Sequence, residues 1–447
     1  MTNFKLIAIR SLIQEKKSTL VGTFVILFLS VVMYPLVTNV QDMWDGAVIA
    51  HAMNSGDLQI FNTWFDETGW PLVAYMYKWV FYISTFIDSN YKYVVNWLIV
   101  VSTTLTALEI YLIAKRALNL STTSSLLGAL LLLVMPGLSL YLSSIFLMHA
   151  VFIYFCVIGT RLYLTGSNAK LEVIGAILVV VSLQHASNSF MFVGILAGAY
   201  LFGGRKQYYK DSCMILILII CYIAFKEYFP AHGLALGYNS IDFENLLQLT
   251  TWKYYALYIG FYYFPIFLLL RAMLLADPKQ SKQVIIFAAV VFTSCIPYVL
   301  VGKYPVIYEM LSSNGWSYRF VFNLYVMTCF LFSVLISISS QYYSKAIRIG
   351  ALSVYGFFVL VSVSILFFSY SSKSKALIYQ EMFVASLKEF VVPSPSVITI
   401  KHGSHAPSFY AANYYFYKAY SQVVTSSTNS DWPKKYKNKY IFTVENY

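Results

Sequence analysis

Charge is what this chain has least of. Asp, Glu, Lys and Arg make up 11% of its 447 residues, against roughly 25% in an average soluble domain. That shortage argues against a water-soluble globule and for lipid as the surrounding solvent. Acidic residues are scarcer still, 19 against 31 basic ones, giving a net charge of +12. A basic balance can signal nucleic acid, but here the basic residues flank apolar runs, where they orient membrane spans, and nucleic-acid binding is not expected. Cysteine is sparse as well. Cys156, Cys213, Cys221, Cys295 and Cys329 all fall inside apolar runs, so no disulfide framework or CxxC metal signature is present. No Walker loop, GxGxxG, HExxH or GxSxG is placed to serve catalysis. Gly203-Gly204-Arg205-Lys206 reads as a basic turn. A soluble nucleotide-sugar domain with its DxD signature is also missing, so any activated donor should be borne by the membrane.

What is abundant is apolar and aromatic sequence: 59% hydrophobic, with 39 Tyr and 34 Phe. A spanning helix needs about 20 mostly apolar residues. Eleven candidates meet or approach this: 19–38, 92–115, 122–141, 145–164, 171–186, 188–203, 211–229, 253–271, 283–302, 319–340 and 349–370. The first follows Lys5, Arg10, Lys16 and Lys17 with no small-residue cleavage site, and reads as a retained span. The fifth and sixth are short and separated by Gln184-His185-Ala186-Ser187-Asn188. Such a polar break suits backbone facing a protein or water cavity, not lipid. The stretch 71–88 is apolar but contains Lys78 and follows Trp70-Pro71, and reads as a helix lying on the outer surface.

Positive charge tests this map, because cytoplasmic loops carry an excess of Lys and Arg. With 71–88 not spanning, sixteen basic residues fall on the cytoplasmic side and six on the outside or within spans. Counting 71–88 as a span would put Lys115-Arg116 and Arg205-Lys206 outside. The expected architecture is therefore an α-helical polytopic membrane domain, residues 1–371, with about eleven transmembrane helices and a cytoplasmic N-terminus. A small α/β domain, 372–447, follows outside the cytoplasm: helix at 377–390 and 408–421, extended chain at Val397–Ile400 and 440–444. The large loops, 39–91, 230–252 and 303–318, share that outer face, and function concentrates in long loops on a rigid scaffold. No internal repeat is visible, which disfavours the repeat-built transporters.

The outer loop opens with Asn39-Val40-Gln41-Asp42-Met43-Trp44-Asp45-Gly46-Ala47. A carboxylate placed there can accept a proton from a nucleophilic hydroxyl; Asp42 or Asp45 can equally cap a helix over 46–54. Ionisable residues inside apolar segments are functional candidates by default: Glu109, His149, His185, Lys226 and Glu227. Glu109, near a cytoplasmic end, reads as structural, and His149 fits a hydrogen-bonded interior histidine as well as a site residue. Arg319, in Asn314-Gly315-Trp316-Ser317-Tyr318-Arg319, can grip a phosphate bidentately or simply snorkel to the interface. Lys303 adds a second positive charge. Tyr304, Trp316 and Trp70 suit stacking on sugar rings or anchoring at the interface.

The order of these features resembles the polytopic glycosyltransferases that use polyprenyl-phosphate sugars, the GT-C superfamily. The resemblance is nearest to the branch of protein O-mannosyltransferases and the aminoarabinose transferase of lipid A, and covers roughly residues 19–340. Their outer loop has the form D-[ED]-x-x-Y-A…G-D…P-P-L-x-Y. Here the chain reads Asp45-Gly46-Ala47-Val48-Ile49-Ala50, then Ser55-Gly56-Asp57, then Trp70-Pro71-Leu72-Val73-Ala74-Tyr75. The resemblance places the principal catalytic acid at Asp45. The neighbouring acid is replaced by Gly46, with Asp42 as its substitute, and His149 stands where a second acid often lies. His185 falls near the family's basic residue between spans 5 and 6; Lys303 and Arg319 match its basic residue before a late span. The short chain and small tail further resemble serotype-converting glucosyltransferases of O-antigen, part of lipopolysaccharide, in the bacterial inner membrane.

What the resemblance implies is an inverting transfer of a monosaccharide from an undecaprenyl-phosphate donor to a hydroxyl of a lipid-linked or polymeric glycan. The reaction would take place at the periplasmic face of the cell inner membrane. No cofactor is indicated; a divalent metal is compatible with the chemistry, but nothing in the sequence asks for one. The competing readings are a transporter or flippase, and a polymerase or ligase, of lipid-linked saccharides.

Overall fold

The computed structural model describes residues 20–31, 46–185, 187–232, 241–307, 316–388, 396–401, 425–426 and 438–443. Sixteen α-helices dominate these residues. In chain order they are α1 Leu20–Val31, α2 Gly46–Ser55, α3 Gln59–Glu67, α4 Pro71–Phe86, α5 Tyr91–Arg116, α6 Thr122–Leu131, α7 Leu147–Thr165 and α8 Ala169–Val181. Then come α9 Asn188–Leu201, α10 Tyr208–Tyr228, α11 Leu249–Tyr262, α12 Phe264–Ala276, α13 Pro278–Thr293, α14 Ile296–Leu300, α15 Phe322–Tyr342 and α16 Lys345–Lys388. Six helical segments are long and apolar enough to cross a membrane, or seven if the bent pair α11–α12 is one span. The protein is a multi-pass membrane protein in this sense. The expected spans 122–141, 171–186 and 188–203 are occupied by shorter apolar helices.

Those shortenings have local causes. Pro136 has no N–H to give a helical ladder, so α6 ends at Leu131 and the chain continues through 3-10 turns, Leu132–Val134, Pro136–Leu142 and Ser144–Phe146. The polar stretch after α8 breaks where the sequence said it should: a 3-10 turn, Ser182–Gln184, leads into extended His185 (φ −105°, ψ 92°). Between α11 and α12 the axis turns by 71° just ahead of Pro265. The span expected at 349–370 and the separate helix expected at 377–390 are, as far as the described residues run, one continuous helix of 44 residues, α16, Lys345–Lys388.

The bundle is organised around α15. Every residue from Phe322 to Ser339 is buried, as expected of a helix that is apolar on all sides. α6 lies against it with almost no separation. A Cβ on Gly128 would sit 1.9 Å from Ser333 Oγ and 2.4 Å from the Cys329 carbonyl oxygen, and the backbone N–H of Ser121 donates to Ser337 Oγ at 3.3 Å. α7 and α8 meet through Gly159 and Gly175, where a Cβ on either would press the other's carbonyl oxygen at 2.7 and 2.6 Å. Small residues at crossings let backbones approach in lipid, where apolar burial alone does not drive helices together. α10 and the spanning part of α16 are peripheral, with 17% and 22% of their apolar windows buried.

The two ends of the bundle differ. One end gathers Arg116, Arg161, Arg205, Lys210 and the start of α13. There Asp211 accepts from Arg205 Nε and one guanidinium nitrogen at 2.7 and 2.6 Å and from the Tyr163 and Tyr200 hydroxyls. Arg161 pairs with Glu109, the structural role expected for that acid. The other end gathers α2–α4, the 182–187 break, the end of α10, α14 and the start of α15. The Tyr77 hydroxyl donates to the Ser144 carbonyl at 2.7 Å, and His232 N–H to the Glu67 carbonyl at 2.9 Å, tying the loop helices down onto the spans. Beyond α16, three short strands, β1 Ser396–Lys401, β2 Thr425–Ser426 and β3 Asn438–Thr443, form a parallel sheet in the order β2-β1-β3. β1 aligns Ser396 with Asn438 and Lys401 with Thr443. The helix expected at 408–421 lies outside the described residues.

Candidate functional site

Four residues that the sequence singled out, 149, 185, 303 and 319, come from four separate segments of the chain and converge at the second end. His149 sits in the first turn of α7, brought there by the 3-10 turn Ser144–Phe146. His185 sits in the broken stretch between α8 and α9. Their rings stack with centroids 4.2 Å apart and planes at 28°. The stack extends on both sides: Phe146 lies 4.9 Å from His149, and Trp70, the residue before α4, lies 5.5 Å from His185. Phe152 closes the column edge-on to His185 at 5.9 Å. Trp70 thus joins the segment before α4 to the break between α8 and α9.

Arg319 belongs to a 3-10 turn, Trp316–Val321, that precedes α15. Its guanidinium carbon lies 4.6 Å from the Phe320 ring centroid, and it is within electrostatic reach of His149, Tyr298 and Lys303. Lys303 follows α14, held by its N–H on the Tyr298 carbonyl at 2.9 Å. Burial first, and then the neighbouring Arg319 guanidinium, bring the Lys303 ammonium down to about 7. Two cations within electrostatic reach of each other repel, and an anion bound between them would offset that repulsion. The Tyr304 ring stacks on Tyr254 at 4.5 Å and 6°. Trp316 opens the turn that bears Arg319, and its side chain is outside the described residues. Asp42 and Asp45, the expected catalytic acids, also lie outside them.

Residues the sequence did not single out complete the site. Tyr298 packs 6.0 Å from Phe320 and shares a hydrogen bond of 3.2 Å with Ser187; among 39 tyrosines it carried no signal. Gln184 Oε1, His185 Nε2 and Asn323 Nδ2 are buried without a hydrogen-bond partner among the described residues, and such atoms call for water or a ligand. Lys373, read as part of the tail, is fully buried on α16. Its ammonium donates to the Ser139 carbonyl at 2.8 Å and contacts Ser139 Oγ at 3.1 Å. One turn earlier Ser369 meets the Tyr318 hydroxyl at 3.3 Å. The last helix therefore braces both the 3-10 segment after Pro136 and the turn that presents Arg319. Its sequence signal was a lysine at the edge of a long apolar run.

Beside the cation cluster lies a cavity of about 380 Å³, walled by α9, α10, α14 and the 182–187 break. His185 and Tyr298 line it; Arg319 and Lys303 do not. Among the described residues no group of three or more His, Cys, Asp or Glu is arranged to hold a metal ion. The chain matches no family model, and no curated protein matches it significantly.

Proposed function

We propose that the protein is an integral-membrane glycosyltransferase of the GT-C type, which moves a monosaccharide from a polyprenyl-phosphate donor to a glycan hydroxyl. The observation that carries this reading is the convergence of Arg319, Lys303, His149 and His185 beside Trp70, at the end of the bundle that bears α2–α4; in the proposed topology that end is the outer face, where a lipid-borne phosphate would ride. Placing cations where charge develops on a leaving group is typically the largest catalytic contribution, roughly 3–4 kcal/mol for one donor. In the proposed step Asp45 takes the acceptor proton as the hydroxyl oxygen attacks the anomeric carbon opposite the phosphate. The new C–O bond forms, the bond to phosphate breaks, and its electron pair leaves on phosphate between Arg319 and Lys303. Attack from the opposite face inverts the anomeric centre. His149, stacked on His185 and within electrostatic reach of Arg319, would lie near the transferred sugar; Trp70 and Trp316 would stack on rings.

The fuller architecture belongs to the same proposal: eleven spans in a bacterial inner membrane, an N-terminus in the cytoplasm, and a periplasmic α/β domain after the last span. The acceptor would be an O-antigen or related surface glycan. The topology is tested by cysteines at Ser404 and Gln280. In outer-membrane-permeabilised cells an impermeant thiol reagent should reach the first and not the second; the reverse pattern inverts the map.

The broken helices at Pro136, at 182–187 and between α11 and α12 favour one other reading, a flippase of lipid-linked saccharides, because interrupted helices line transport paths. Purified protein in detergent, given donor and acceptor alone, separates the two. Product formed without a membrane supports the transferase; transport of lipid-linked sugar across a vesicle with no transfer chemistry supports the flippase.

A further inference from the structure

The cavity beside the cation cluster has a composition that selects its occupant. Its lining is mostly apolar and aromatic: Phe190, Val193, Ile219, Tyr222 and Phe225 among others, with Trp70 and Tyr298 at its inner wall. Only two lining residues are ionisable toward positive charge, Lys226 and His185, and no carboxylate lines it. A lysine in an apolar cleft, without an ion pair among the described residues, selects an anion that brings its own hydrocarbon.

The mouth faces sideways. Val193 on α9 and Ile219 on α10 both line the cavity and are themselves 38% and 51% exposed. Around Ile219, the α10 residues Leu216, Ile217, Ile220 and Ile223 are exposed too. In a membrane span, an exposed apolar face meets lipid tails, so the opening between α9 and α10 gives onto the bilayer. Lys226 lies two turns beyond Ile219 toward the end of α10, the depth of headgroups. A volume of about 380 Å³ is near the small end for ligand cavities, about 300–1,000 Å³. It suits the head-proximal part of one chain and leaves the rest in the bilayer; two full chains do not fit.

We propose that this cavity is a second lipid-phosphate site: it takes a single-chain isoprenoid phosphate laterally between α9 and α10, with Lys226 on the phosphate. Its His185–Tyr298 wall is shared with the cation cluster, while Arg319 and Lys303 do not line it. The cavity alone supports an anionic single-chain lipid; the isoprenoid chain and the phosphate are taken from the transferase reading. Its assignment to the lipid carrier of the acceptor, so that two lipid-borne substrates meet across that wall, rests on the transferase reading.

The test is photolabelling of the full-length protein in nanodiscs with a diazirine-bearing farnesyl phosphate, the labelled residues mapped by mass spectrometry. Label is expected on Phe190, Val193, Ile219 or Tyr222. Unlabelled farnesyl phosphate should compete, and inorganic phosphate should not. Lys226→Gln should weaken this labelling roughly tenfold or more, the loss of one charge-assisted contact. Val193→Trp, which fills the mouth and keeps every charge, should block it. Arg319→Ala should leave cavity labelling intact. The proposal is overturned if Lys226→Gln and Val193→Trp both label normally. Loss of cavity label in Arg319→Ala would mean a single shared lipid site, and equal competition by phosphatidic acid would overturn the single-chain assignment. None of these readouts needs transfer activity, so failure of the transferase reading leaves the cavity test standing.

Discussion

Lys303 gives the sharpest test of the cation cluster, because its charge opposes stability and serves binding. Its ammonium is brought from 10.5 to about 7, by burial and then by Arg319. That represents on the order of 3–5 kcal/mol against holding the charge there, after allowing for screening at a partly exposed group. The signs follow from linkage. Between about 7 and 10.5 the unfolded chain binds more protons at this lysine than the folded one, so stability rises with pH across that window. Phosphate binding needs the ammonium, whose population in the free protein falls from roughly nine-tenths at pH 6 to roughly one-tenth at pH 8. Donor affinity should therefore weaken about tenfold over the same two pH units. Two slopes of opposite sign, one residue. Lys303→Met should remove both contributions: higher thermal stability near pH 6–7, weaker donor binding, and loss of this lysine's share of the pH dependence in each. Lys303→Arg should bind donor with a flat profile. In Arg319→Gln the Coulombic cause is gone and burial remains, so the midpoint should move up only part of the way towards 10.5. The measurements are binding of a labelled polyprenyl-phosphate sugar to nanodisc protein from pH 5.5 to 9, and thermal unfolding over the same range. If Lys303→Met keeps the wild-type pH dependence of donor binding, the lysine does not face the phosphate and the reasoning is wrong.

Other outcomes test other links. Arg319→Lys should lose much of the turnover and Arg319→Ala nearly all, since a planar fork matches phosphate oxygens and a point charge does not; full kinetics in Arg319→Lys would return the residue to an interface anchor. Asp45→Asn should lower the transfer rate by roughly 10²–10⁴-fold in a normally inserted protein, and normal transfer in that variant with loss in Asp42→Asn would exchange the two acids. Gly128→Ala forces a methyl into Ser333 and the Cys329 carbonyl, and should destabilise the α6–α15 crossing by about 1–3 kcal/mol, read as a lowered unfolding temperature in detergent; an unchanged temperature would show that the helices part easily.

By itself the sequence determined the class of solvent, the apolar segments and the identity of the polar exceptions. Scarce charge, long apolar runs and basic clusters act locally, so each can be read from the residues that bear it. The break at 184–188 was legible for the same reason: a run of polar residues cannot face lipid as helix. His149, His185, Lys303 and Arg319 stood out because ionisable groups in or beside apolar runs are costly there. Tertiary structure alone decided that these four meet. Convergence depends on how α7, the 182–187 break, α14 and the turn before α15 pack, and no local pattern encodes packing between segments more than a hundred residues apart. The shortening of 122–141 depended on Pro136 together with Lys373 of α16, which supplies a donor to the Ser139 carbonyl. A carbonyl left without its helical partner is tolerated in the interior only when another group satisfies it. The merging of 349–370 with 377–388 into one helix was likewise beyond a hydropathy reading. Ser371, Ser372 and Lys373 look like the end of a span, but on the folded bundle Ser369 and Lys373 turn inward to hydrogen-bonding partners, and the helix runs on.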